Sequence, residues 1–260
     1  MPDPTDYLPL AMAVADAAAA AVRPFFRTRI ETDDKADASP VTRADRAAEQ
    51  AMRALLAEHC PDHGIIGEEF GETAAGGSGL CWVLDPIDGT RAFITGRTTF
   101  GTLIALMEGD EPLLGIIDQP ITGERWVGAA GRPTEFSGPF GGQIGCRPCA
   151  RLGEAELSCT SPDIFSPDQQ PRFARLRGKV RRTSWGGDCY GFGLLALGEI
   201  DLIVEADLKP WDWAALVPII TGAGGSVTDW QGAPLRLDGD GCVIALGDPA
   251  LLPAVVRALN

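Results

Sequence analysis

Apolar residues recur at Leu8, Met12, Ala15, Ala19 and Val22, a spacing that predicts a helix over 7–28 with Pro24 bending its end. The stretch 31–40 is polar and predicts a loop or a sheet edge. Thr42 opens a second helix: Asp45 stands three residues on, as a capping box requires, and Ala48, Met52, Leu55 and Leu56 supply the apolar face up to Cys60-Pro61. Short apolar runs then replace helical spacing. Residues 64–67 and 80–84 each read as a strand, and the Gly/Ala-rich run 71–79 between them reads as a mobile linker. Runs at 101–107, 112–118 and 125–130 predict a meander turned at 108–111. Gly and Pro gather in 137–148, which divides the chain into an N-terminal lobe, 1–140, and a C-terminal lobe, 141–260. The second lobe alternates strands (157–160, 180–183, 201–205, 226–229, 242–246) with helices (168–177, 188–197, 211–223, 249–259), a pattern of layered α/β structure.

Composition narrows the function. Asp and Glu number 36 against 22 Lys and Arg, a net charge of −14, which excludes a nucleic-acid binder that needs a basic face. A phosphorylated small substrate stays open, because carboxylates can hold metal ions and the metals can hold phosphate. Only two His are present, and Pro61 breaks the helix face that His59 and His63 would share. Both read as surface residues, and chemistry needing several imidazoles is excluded. The apolar stretch 8–22 contains Asp16 and is too short to span a bilayer, so no membrane partner is expected. Seven Cys without framework spacing fit a reducing cytoplasm, and the lone Cys146/Cys149 pair lacks the further ligands of a zinc site.

The densest chemical signal is Asp85-Pro86-Ile87-Asp88-Gly89-Thr90, at the exit of an apolar strand. Two carboxylates three residues apart across a Pro-fixed turn can point into one pocket, and hard oxygen ligands suit Mg²⁺. The same six residues can equally be an Asx-type turn that closes a strand. Two more acidic groups shift the balance toward a metal site. Glu68-Glu69 follows an apolar strand and Gly67, and Asp212 opens an apolar helix within Trp211-Asp212-Trp213-Ala214-Ala215. Taken singly, each has a plain alternative, a solvated strand end or a charge on a helix dipole.

Gly67-Glu68-Glu69, the Asp85–Thr90 hexapeptide, and Trp211-Asp212-Trp213-Ala214-Ala215 followed by Gly222-Ala223-Gly224-Gly225 resemble, in order and spacing, the inositol monophosphatase family over about residues 8–258. The resemblance implies a layered αβαβα sandwich of the sugar-phosphatase type, its two lobes sharing a metal site. It further implies hydrolysis of phosphomonoesters with two or three Mg²⁺, and a homodimer. Carried over by position, Glu68, Asp85, Asp88 and Asp212 resemble the metal-ligand carboxylates, with the carbonyl of Ile87 as a further ligand. Gly89 and Thr90 resemble the phosphate-contacting pair. Glu68 and Thr90 resemble the groups that orient the attacking water, and Asp45 looks like the partner of the Thr90 hydroxyl, although it can instead cap its own helix. Lys35 resembles a basic residue near the pocket. The meander 101–130 offers apolar surface for the second copy.

Within that family the continuation Thr90-Arg91-Ala92-Phe93-Ile94, together with Cys159-Thr160-Ser161-Pro162, Trp185-Gly186-Gly187-Asp188 and Val204-Glu205, looks like the histidinol-phosphate phosphatase branch. A carboxylate at Asp188 suits a cationic substrate such as L-histidinol phosphate, and Glu205 resembles the substrate-contacting Glu. Asp188 can also be read as a helix N-cap after Gly186-Gly187. An inositol-1-phosphate or broad sugar phosphatase is the alternative, in which both acids bind hydroxyls. A non-catalytic relative is disfavoured because every matched carboxylate is present, and a nucleotide 3′-phosphatase because no basic or aromatic base pocket is evident.

Overall fold

The computed structural model describes residues 3–29, 32–34 and 40–260; Lys35 and most of the 31–40 loop lie outside the described residues. Helix α1 (Leu8–Val22) is flanked by 3₁₀ turns at Pro4–Tyr7 and Arg23–Phe25, so the regular helix stops before Pro24 and not at residue 28. The continuous helical run Pro4–Phe25 has 22 residues and reaches a mean hydropathy of 1.3, long and apolar enough by length and composition to cross a bilayer. That corrects the sequence reading, which counted only 8–22. The face carrying Ala11, Val14, Ala15, Ala18 and Val22 is buried inside the protein. Strands β1 (Thr32–Asp34) and β2 (Pro40–Thr42) form an antiparallel ribbon that leads into α2 (Arg43–His59), which packs along α1.

The larger sheet contains β3 (Gly64–Gly67), β4 (Gly71–Thr73), β5 (Leu80–Asp88), β6 (Gly101–Glu108), β7 (Glu111–Gln119), β8 (Glu124–Ala129) and β9 (Glu135–Ser137) in the order β4-β3-β5-β6-β7-β8-β9. Only β3 and β5 run parallel. The expected 71–79 linker thus begins as an edge strand paired with β3. Short α3 (Thr90–Ile94) follows β5. The smaller sheet joins β10 (Glu156–Cys159), β11 (Arg182–Trp185), β12 (Leu202–Glu205), β13 (Ser226–Thr228) and β14 (Val243–Leu246) in the order β11-β10-β12-β14-β13, parallel across the first three and antiparallel beyond. Its helices are α4 (Gln169–Arg177), α5 (Asp188–Ala196), α6 (Pro210–Trp213), α7 (Leu216–Gly222) and α8 (Leu252–Leu259).

Three apolar clusters stack these elements. One lies between α1–α2 and the large sheet, one between the sheets around α5 and α7, and one between the small sheet and α4–α8. The order is αβαβα, the layered sandwich that the sequence led us to expect. Strand β6 has helices over both faces, so Gly101 through Met107 are all buried. The central strand of the meander therefore offers no apolar face to a second copy, because the chain's own helices cover it, whereas Val127 on β8 stays partly exposed beside Leu8 and Met12.

The single helix expected over 211–223 is two. Pro218 cannot donate to the carbonyl of Ala214, and the chain turns at Ala214-Ala215 between α6 and α7. His63 is also corrected. It is buried, and its Nδ1 accepts a 3.1 Å hydrogen bond from Trp82 Nε1 under the ring of Tyr7.

The α6–α7 turn, which fixes where Asp212 stands, sits directly on the sheet. A Cβ at Gly115 on β7 would lie 2.0 Å from the Ala215 carbonyl oxygen. Gly115→Ala is therefore expected to lower stability by about 1–3 kcal/mol, the range for overpacking a close-packed interior, in urea denaturation. An unchanged midpoint would show that this turn can yield.

Candidate metal centre

Strand β5 ends irregularly, its register with β6 shifting between Asp85 and Asp88. Pro86 has no N–H to give the ladder, and its carbonyl accepts the Thr102 hydroxyl at 2.8 Å. Asp85 Oδ1 accepts the Ile87 N–H at 2.9 Å, so the Asx-type turn is present. It orients the carboxylate without exhausting it, since the charges of Glu68, Asp88 and Asp212 still bear on Asp85. Gly89 then takes φ 85°, a left-handed conformation that glycine adopts without steric cost, and α3 begins at Thr90.

Three elements bring the acids together. Asp88 Oδ2 accepts the Cys189 N–H at 2.5 Å, from the first turn of α5. Asp212 Oδ2 accepts the Lys209 N–H at 2.7 Å, ahead of α6. One oxygen from each of Asp85, Asp88 and Asp212 then falls within 4.8 Å of the others. Glu68 borders this group from the turn after β3, and its N–H donates to the Leu84 carbonyl at 3.2 Å.

Burial, reinforced by the neighbouring charges, raises Asp85, Asp88 and Asp212. Asp85 is pushed well above the ordinary carboxylate range, first by burial and then by Glu68, Asp88 and Asp212. Burial and the charge of Asp212 push Asp88 up to about 7. Asp212 also rises to about 7, through burial and then Glu68, against the pull of the Lys209 N–H. Buried like charges this close favour a shared proton or a cation. The donors are all oxygens, which fits a hard divalent ion.

Asp45 requires a correction. It is fully buried, and its Oδ2 accepts from both the N–H (2.8 Å) and the hydroxyl (2.6 Å) of Thr42, completing the capping box of α2. The Thr90 hydroxyl donates instead to the Ile87 carbonyl at 3.1 Å. The expected Asp45–Thr90 hydrogen bond is not formed. The helix start offers Asp45 two donors three residues away, and they are satisfied locally.

Asp188 is the first residue of α5, with Gly187 at the cap position, so the N-cap reading does not hold. Its backbone is left-handed (φ 43°), and a Cβ on Gly89 would come within 3.0 Å of its side chain. Burial and then the charge of Asp88 push its carboxyl up to about 7, while the Thr99 hydroxyl and the charges of Arg97 and Arg91 pull it down. Glu205, buried at the end of β12, accepts the Thr160 N–H at 2.7 Å. Burial pushes it up to about 8, with Asp188 and Asp88 adding to the rise. Sequence reasoning missed the Cys189 amide, Thr99 and Arg97, which carry no local signal. It also missed Glu49, whose i,i+4 pairing with Arg53 on α2 was legible.

The chain matches the inositol monophosphatase family over residues 3–260. It is 48% identical over 221 residues to the chloroplastic bifunctional phosphatase IMPL2 of Arabidopsis thaliana, covering 85% of this chain and 63% of that protein. Over 245 residues it is 35% identical to a histidinol-phosphatase of Chlorobaculum parvum, covering 93% of this chain and 92% of the relative. A solved inositol monophosphatase from Zymomonas mobilis superposes with a TM-score of 0.88 and 51% identity, over 98% of both chains.

Asp88, Asp212 and Glu205 bind protons more tightly in the folded protein than at their ordinary values of 3.8 or 4.5. Their contribution to stability is complete below about pH 4 and is lost as pH rises through about 7–8. In chelator, the melting temperature is expected to fall between about pH 5 and pH 8, and added Mg²⁺ to restore more of it at the higher pH. Scanning calorimetry that finds a flat profile in chelator would contradict the charge crowding described above.

Proposed function

Since the chain belongs to the inositol monophosphatase family of metal-dependent phosphatases, which act on small phosphorylated substrates, we propose that it hydrolyses L-histidinol phosphate to L-histidinol and phosphate with Mg²⁺. The observation that carries this reading is the pair Asp188, half-buried against Gly89, and Glu205, buried where the charges of Asp188 and Asp88 reach it. Acids in that position suit the ammonium and imidazole of the substrate, since burial strengthens a charge-assisted hydrogen bond. Similarity to the Chlorobaculum parvum histidinol-phosphatase over nearly the full length of both chains supports it.

Glu68, Asp85, Asp88, Asp212 and the Ile87 carbonyl would hold the cations. Two or three Mg²⁺, when bound, supply the positive charge that binds phosphate and stabilises the leaving alkoxide, and lower the pKa of a water. Glu68 would orient the attacking water in line with the phosphorus. Thr90 assists once its hydroxyl turns from the Ile87 carbonyl. The backbone N–H groups at Gly89 and Thr90 contact the phosphate, and Gly89 leaves room for it. Asp188 and Glu205 fix the far end of the substrate. Asp45 holds the start of α2 through Oδ2, and its buried Oδ1 has no hydrogen-bond partner among the described residues. We further propose a homodimer, the two-lobe division at 1–140 and 141–260, and a cytoplasmic setting, the last supported by seven unbridged cysteines.

The second reading is an inositol-1-phosphate or broad sugar phosphatase. The 51% identity to the Zymomonas mobilis inositol monophosphatase favours it, and the two acids would then bind hydroxyls. Phosphate release from histidinol phosphate and inositol 1-phosphate, measured side by side with and without Mg²⁺, separates the two. Histidinol phosphate is expected to be hydrolysed far faster, and only with the metal. The reverse preference would transfer the assignment to the second reading.

Asp88→Asn is expected to lower turnover by more than about 100-fold, beyond the loss typical of an outer partner of a metal site. Asp188→Asn keeps a residue that tolerates the left-handed backbone. It is expected to lower kcat/KM for histidinol phosphate by roughly tenfold or more, the worth of one charge-assisted hydrogen bond, while sparing a small uncharged phosphate ester. Equal loss on both esters would mean that Asp188 serves the metal site and not the substrate.

A further inference from the structure

Glu49 lies on α2, one turn beyond Asp45, fully buried and outside the acidic cluster. Its Oε2 accepts the Glu69 N–H at 2.7 Å, and its Oε1 accepts the Phe70 N–H at 3.2 Å and Arg53 Nε at 2.7 Å. Arg53 in turn donates to the Thr73 hydroxyl at 3.0 Å and to the Gly71 carbonyl. One buried carboxylate and its i+4 arginine thus fasten the β3–β4 turn to α2. Gly67 makes the fit possible, since a Cβ there would lie 2.0 Å from Glu49 Oε1. Glu68 stands between Gly67 and Glu69, and its own N–H is held by Leu84 on the strand that carries Asp85. Its backbone is therefore constrained on both sides, by Glu49 and by β5.

We propose that Glu49 is a positioning residue that sets where Glu68 stands relative to Asp85, and through it the divalent-cation affinity of the site. This rests on the reading that Glu68 helps hold the cation. The chemistry of the contact makes a sharp variant available. Glu49 serves donors on both oxygens, so in Glu49→Gln the amide must turn its NH₂ toward either the Glu69 N–H or the Phe70 and Arg53 donors. In either orientation donors face donors, and the turn must shift although the side chain keeps its size.

The test is Mn²⁺ binding, followed through the electron paramagnetic resonance signal of the free ion, in the wild type, Glu49→Gln, Glu68→Gln and the double variant. Glu49→Gln is expected to weaken binding about 10- to 100-fold, as loss of an outer partner of a metal site does. In the Glu68→Gln background the same change is expected to add little, because its effect passes through Glu68. Wild-type Mn²⁺ affinity in Glu49→Gln, or fully additive losses in the double variant, overturns the proposal. Unchanged affinity in Glu68→Gln alone overturns the ligand role of Glu68 itself, and this inference with it. Should Glu49→Gln not fold, Gly67→Ala displaces the same carboxylate from the other side. It is expected to weaken Mn²⁺ binding likewise, and wild-type affinity there would equally overturn the proposal.

Discussion

Mutual repulsion among Asp85, Asp88 and Asp212, crowded together with Asp85 buried and the other two half-buried, is the constraint on which the rest of this structure depends. Three carboxylates with oxygens within 4.8 Å of one another oppose the fold that brings them together. Three backbone donors offset that opposition. The Ile87 N–H holds Asp85, the Cys189 N–H at the start of α5 holds Asp88, and the Lys209 N–H ahead of α6 holds Asp212. A charge-assisted bond to a fixed amide orients an acid and at the same time makes its ionised form less costly. The cluster is thereby preorganised for a cation while remaining unfavourable without one.

Such an arrangement needs a rigid frame, and the layering supplies it. Strands β5 and β6 are covered on both faces, and three apolar clusters lie between the successive layers. The close seat of Ala215 on Gly115 leaves α6 little freedom, and Asp212 inherits that precision. On the other side, the Glu49–Arg53 pair binds α2 to the turn carrying Glu68. The acids come from different elements, and each element is anchored by contacts made well away from the cluster.

Asp188 and Glu205 obey the same electrostatics as the cluster. They also rise in pKa through burial and neighbouring acids, and in the function proposed above they face the far end of the ester. A cationic group entering there relieves the same repulsion that a metal relieves in the cluster. One acidic field can therefore serve both metal binding and selection of a positively charged substrate, and the chain's surplus of acids is partly concentrated at this point.

Whatever depends on neighbours in sequence was legible in the sequence. The apolar stripe and capping box of α2, the meander, the strand that ends in Asp85-Pro86-Ile87-Asp88, and the alternating second half all follow from local spacing. What depends on stacking was not. Pairing Glu68 with Asp85, placing Asp188 against Gly89, burying His63 under Tyr7 and assigning Glu49 to the Glu68 turn are contacts between elements far apart in the chain. Asp45 shows the boundary between the two. Its sequence position allowed a local cap or a distant partner, and the cap prevailed because its donors were already three residues away. Periodicity fixes which face of an element is buried, but only the packed layers decide what that face meets.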